Sequence, residues 1–132
     1  MEDVLGHFRF LVFYILCGVL ASIMHIIMNP LSTVPVIGAS GAIAGILGAY
    51  LFLFPRARIL VLVPIFFFFD IIEISALVFI GFWFVFQFFQ GFSSALSVNA
   101  DFGSIAWWAH IGGFLSGLIL VLFVKKKRRK LW

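Results

Sequence analysis

Long apolar stretches broken by short polar intervals set the plan of this chain. A helix that crosses a bilayer needs about 20 mostly apolar residues. Four stretches meet that length. The first runs from about Phe10 to Met28, between Arg9 and Asn29-Pro30, and the second from about Val36 to Phe54, between Pro35 and Pro55. The third runs from about Ile74 to Phe92, and the fourth from about Ser104 to Val124, stopping at Lys125. A fifth apolar piece, Ile59 to Phe69, is bounded by Arg58 and Asp70 and is too short to span as a helix. It is rich in β-branched and aromatic residues with Pro64 in its middle, which predicts two short strands with a turn near Pro64-Ile65. Open strand edges cannot sit in hydrocarbon, so this piece belongs at the interface or against the helices. The pattern predicts an all-α membrane protein of four transmembrane helices, with a short interfacial β-hairpin or re-entrant segment near 58–73.

Composition agrees with lipid as the solvent. Of 132 residues, 64% are hydrophobic and 11% charged. A soluble domain of this size has too little interior to hide so much apolar surface. The net charge of +4 is concentrated, because six of the nine Lys and Arg residues form the run Lys125–Lys130. A nucleic-acid surface would need a basic stripe along the fold, so that partner is excluded. A basic run directly after an apolar segment reads instead as a cytoplasmic anchor. Residues 1–124 are thus the membrane domain and 125–132 a basic cytoplasmic tail. Arg9, Arg56, Arg58 and the terminal run fall on one side only if 59–72 does not cross, which places both termini in the cytoplasm. The single cysteine, Cys17, lies within an apolar run and reads as a small buried hydrophobe. Met1-Glu2-Asp3 supplies no basic start of the kind a signal peptide has.

Polar residues inside spans are functional candidates by default. Ser40 lies in Gly38-Ala39-Ser40-Gly41 near the start of the second span, and His110 in Trp107-Trp108-Ala109-His110-Ile111-Gly112-Gly113 in the fourth. Both helices run from outside to inside. Ser40 is 15 residues before Pro55 and His110 is 15 before Lys125. At ~1.5 Å per residue both lie roughly 22 Å above the cytoplasmic boundary, and so at one level. Gly41, Gly45 and Gly48 share a face of the second helix, and Gly113 and Gly117 form a GxxxG on the fourth. Such faces let backbones approach closely, so the two helices are expected to be neighbours. A serine hydroxyl becomes a nucleophile when a base takes its proton, and a neutral imidazole serves as that base. The amide groups at the start of the helix, with Gly38, Ser40 and Gly41, would receive substrate backbone and a developing oxyanion. The plain alternatives are a helix-capping serine, an interfacial histidine and simple glycine packing.

Gly38-Ala39-Ser40-Gly41 resembles the GxSG motif of the rhomboid intramembrane serine proteases. Ala109-His110-Ile111-Gly112-Gly113 resembles that family's AHxxG motif. The blocks Gly38–Arg58 and Trp107–Gly117 are similar to bacterial members, and the resemblance covers nearly the whole chain. It implies a Ser40/His110 dyad with no acidic third member, and no metal or cofactor. The implied partners are single-span membrane proteins, cut near the outer end of their helix, and the lipid bilayer. The implied location is a bacterial plasma membrane.

The chain departs from the family pattern in three places. Its four spans correspond to the third to sixth core helices, so a fragment or truncated gene is expected, lacking the helix whose HxxxN motif helps form the oxyanion hole. His25-Ile26-Ile27-Met28-Asn29 is an HxxxN by spacing, but at the wrong span. Asn29-Pro30 reads as a helix end and His25 as an interfacial histidine. The family often has a tyrosine four residues after the serine, packed on the histidine, and Ala44 stands there. Phe82, Trp83, Phe84, Phe86, Phe88 and Phe89 crowd the third span. They read as a lipid-facing aromatic surface or, by resemblance, as a mobile gate, with Ser93–Gly103 as a flap. Asp70 and Glu73 read as interface anchors near Arg56 or Arg58. The alternative functions are a catalytically silent rhomboid-like protein that binds membrane helices without cutting and, behind it, a small channel or transporter subunit. The sequence leaves the oligomeric state open.

Overall fold

The computed structural model describes residues 1–33, 35–65, 67–96 and 106–124. A four-residue helix α1 (Glu2–Leu5) turns at Gly6, whose φ of 82° suits a residue without a side chain. Helix α2 (His7–Met28) follows. It ends at Asn29, whose side-chain amide donates to the carbonyl of His25 at 3.0 Å, satisfying one of the orphan acceptors of the last turn. Pro30 comes next, so the expected stop at Asn29-Pro30 is the observed one. Helix α3 (Ser40–Leu53) is only 14 residues long. Helices α4 (Ala76–Leu96) and α5 (Trp107–Val124) complete the bundle.

Three of these helices, α2, α4 and α5, are long and apolar enough to cross a membrane. Of the four expected spans these three reach that length; α3, the fourth, is an apolar helix shorter than it. Its first four expected residues, 36–39, are outside the helix. Gly38 takes φ 139°, a backbone state that L side chains rarely adopt and that cannot begin a helix. The helix starts two residues later, at Ser40 itself.

The core is a seam of small residues. Gly41 of α3 lies against Ala109 and Gly113 of α5, Gly45 against Gly113 and Gly117, and Gly48 against Phe114 and Leu118. The partner numbers rise together, so α3 and α5 run parallel. Helix α2 lies across both in the opposite sense, with Ala21 against Gly41, Cys17 against Gly45 and Met24 against Gly112. Lipid tails are as apolar as leucine, so no hydrophobic drive pulls helices together inside a membrane. Close backbone approach and dispersion take its place. Larger side chains close the end of the seam away from Ser40, where Leu5, Phe13, Cys17, Ala49 and Val121 form a buried cluster. On the other side of α5, Phe84 of α4 stacks on Phe114 at 4.5 Å between ring centroids. Ala44, Ala76 and Ile80 join Phe114 in a second cluster.

The predicted hairpin is present as β1 (Arg58–Ile65) and β2 (Phe68–Ser75), paired antiparallel from Arg58↔Ser75 to Ile65↔Phe68. The reversal lies between Ile65 and Phe68, not at Pro64-Ile65; Pro64 is paired with Phe69 inside the ribbon. A two-stranded ribbon has only edge strands, and there a proline costs no interior ladder bond. The amide of Ala76 donates to the carbonyl of Ala57 at 2.8 Å. The ribbon thus leaves and rejoins the bundle at one point. At its base Arg58 and Glu73, diagonal neighbours across the strands, form an exposed ion pair at 3.0 Å. The basic run Lys125–Lys130 and most of the expected flap, Ser93–Gly103, lie outside the described residues.

Candidate active site

Ser40 is the first residue of α3, and no side chain caps that helix. The turn at Gly38 and Ala39 brings the chain in at this point. Ser40 is exposed, and among the described residues its hydroxyl has no hydrogen-bond partner. It lines a cavity of about 470 Å³ together with Gly38, Gly41, Tyr14, Ser22 and Ala109. An uncapped helix start leaves backbone N–H groups free, and the positive end of the helix dipole adds to their pull on negative charge.

His110 sits in the first turn of α5, where its amide donates to the carbonyl of Ala106 at 3.0 Å. Its ring is half-buried and faces α4. The Nδ1 atom lies 2.7 Å from Oε1 of Gln87, a residue only 5% exposed. A carboxamide oxygen only accepts, so in this amide orientation the bond requires the ring's proton on Nδ1. The neutral ring then bears its lone pair at Nε2, which has no hydrogen bond among the described residues. Trp83 of α4 and Trp107 of α5 flank the ring, with centroids 6.0 Å and 6.4 Å away. Ala44 offers the ring no aromatic support, and these two tryptophans supply it instead.

The seam ties the two residues together. Gly41, next to Ser40, lies against Ala109, next to His110, and also against Gly113. The residues facing Gly41 are therefore centred one turn around His110, and Ser40 and His110 occupy the same end of two parallel helices. Their side chains are not hydrogen-bonded to each other among the described residues. His25 and Asn29 line an adjoining cavity of about 250 Å³ that shares Ser22, Ile26 and Val36 with the first. His25 is buried, and its Nδ1 is without a partner among the described residues. Glu73 and Asp70 lie on the ribbon; Glu73 pairs with Arg58, and Asp70 accepts from the amide of Ile71.

Sequence reasoning passed over Gln87 and assigned Trp83 to the general aromatic surface. A signal for Gln87 existed, because an amide side chain inside an aromatic span must find a partner or forfeit its hydrogen bonds. What the pattern lacked was the identity of that partner, which depends on the packing of α4 against α5.

Apolar helices locked by glycine contacts, three of them long enough to cross a bilayer, define an integral membrane protein. A family profile described as the Rhomboid domain matches residues 1–127, and the chain belongs to the rhomboid family, whose members are generally serine proteases acting on membrane proteins within the bilayer. Comparison with curated proteins and with solved structures gave no match.

Proposed function

We propose that this chain is an intramembrane serine endopeptidase that cuts single-span membrane proteins near the outer end of their helix. Ser40 is the nucleophile and His110 the general base and acid. The observation that carries this reading is the glycine seam. It sets the starts of two parallel helices side by side, with Gly41 against Ala109, and each start bears one member of the pair. In the reaction, Nε2 of His110 takes the Ser40 proton as Oγ attacks the scissile carbonyl, then returns it to the leaving amine. The free amides at the start of α3 would hold the oxyanion, with Gly38 and Gly41 leaving room for substrate backbone. The bilayer is that of a bacterial plasma membrane, with both termini on the cytoplasmic side.

One observation favours a second reading. Ser40 and His110 make no hydrogen bond to each other, and a serine with no base in contact suits a rhomboid-like protein that binds membrane helices without cutting. A serine-directed fluorophosphonate probe separates the two. For the protease, the folded chain labels at Ser40, and both Ser40→Ala and His110→Ala abolish labelling. A folded wild-type chain that stays unlabelled supports the silent protein.

A further inference from the structure

The resemblance implies a pair with no third member, yet His110 has a third residue attached to it. Gln87 is contributed by α4, a helix that carries neither reactive group. It lies in a span otherwise crowded with phenylalanine and is 95% shielded. Its carboxamide oxygen meets Nδ1 of His110 at 2.7 Å, and Trp83, one helical turn earlier on α4, lies beside the same ring. A neutral imidazole has two tautomers, and only the one protonated at Nδ1 presents a lone pair at Nε2. In solution the ring is free to exchange between them and to rotate. Here a carboxamide oxygen on a packed helix faces Nδ1, and in that amide orientation it favours the Nδ1-protonated tautomer and fixes the ring plane. This is the task that a buried carboxylate performs for the histidine of a serine-histidine-aspartate triad.

We propose that Gln87 is a positioning residue that holds His110 in the Nδ1-protonated tautomer, so that Nε2 is ready to take a proton from Ser40. The proposal rests on the reading of Ser40 and His110 as nucleophile and base. It differs from simple interhelical glue in its consequence. Glue would affect whether α4 stays packed, whereas a tautomer clamp affects how fast a correctly folded site reacts.

The test uses the full chain in bicelles with ¹⁵N-labelled histidine. The His110 signals are assigned through the His7→Gln and His25→Gln variants. Wild type is expected to show a neutral His110 with Nδ1 protonated and Nε2 bare. Gln87→Leu should lose that signature and lower the rate constant for fluorophosphonate labelling of Ser40 at least tenfold. Peptide cleavage should show the loss in kcat, with KM unchanged. Gln87→Glu keeps the acceptor and should restore most of the rate. If Gln87→Leu does not fold, Gln87→Met is read in its place. The proposal is overturned if wild-type His110 is protonated at Nε2. It is also overturned if a folded Leu or Met variant keeps both the wild-type tautomer and the wild-type labelling rate. Wild type that never labels, but whose His110 tautomer still responds to Gln87→Leu, removes the protease reading while the hold of Gln87 on the ring stands.

Discussion

The glycine seam gives the sharpest stability prediction. In Gly117→Ala, the added Cβ would stand 2.6 Å from the Cα of Gly45 and closer still to its carbonyl. Ordinary contact begins at 3.4 Å, so the two backbones would have to part by about 0.8 Å or more. The obstructing atoms are main chain on both sides, so no rotamer change relieves the overlap. Overpacking of a tight core costs about 1–3 kcal/mol, and a site without a flexible partner belongs at the upper end. A loss of about 3 kcal/mol shifts the folded-to-unfolded ratio about a hundredfold. Gly81→Ala is the internal control, because a Cβ there meets nothing within 4 Å. Gly81 lies inside α4, and removing a mid-helix glycine is worth about 0.5–1 kcal/mol in favour of the fold. The two alanines are thus expected to act in opposite directions. The assay is SDS-driven unfolding in mixed micelles, followed by tryptophan fluorescence. A Gly117→Ala variant as stable as wild type would refute the backbone contact between α3 and α5, and with it the register that brings Ser40 level with His110.

Three further outcomes follow from named contacts. Phe13 is 1% exposed in the cluster around Cys17, so Phe13→Ala should cost about 3–5 kcal/mol in the same unfolding assay. Cys17 is fully buried, so a water-soluble maleimide should label it only after SDS unfolding; labelling of the native chain would contradict its place between α2 and α3. Arg58 and Glu73 are both well exposed, so a double-mutant cycle should give a coupling energy below about 1 kcal/mol, and a larger value would mean the pair is shielded in lipid.

Much of this architecture was legible before any coordinates, for physical reasons. Apolar length alone marked α2, α4 and α5, and the bound Arg58 to Asp70 marked a piece too short to cross. Small residues at positions 41, 45, 48, 113 and 117 announced which faces could touch, because close approach needs a missing side chain. Two differences were of one kind. The hydropathy of 36–39 matches a span, but the backbone state of Gly38 overrides it, and apolarity carries no record of φ. The reversal of the ribbon was expected near Pro64-Ile65 and lies just after it, because in a two-stranded ribbon proline is tolerated within a strand. Gln87 was missed for a different reason. Its meaning lies in which neighbour its face of α4 meets, and the spacing of Gln87 and Gln90 marks a polar face without naming that neighbour.

The shortness of α3 has a consequence for the lipid. Fourteen residues rise about 21 Å, against a hydrocarbon thickness of about 30 Å. Its neighbours α2 and α5 are longer, so the deficit cannot be met by thinning the whole bundle evenly. In the proposed orientation, with Ser40 toward the outer face, the missing length, about 9 Å, falls above the hydroxyl. A hydrophobic mismatch of this size draws the bilayer surface down locally or leaves a depression that water fills. Peptide-bond hydrolysis consumes water, and hydrocarbon holds almost none. For the proposed protease, a helix that begins late would turn a mismatch with the membrane into a route by which water reaches the serine.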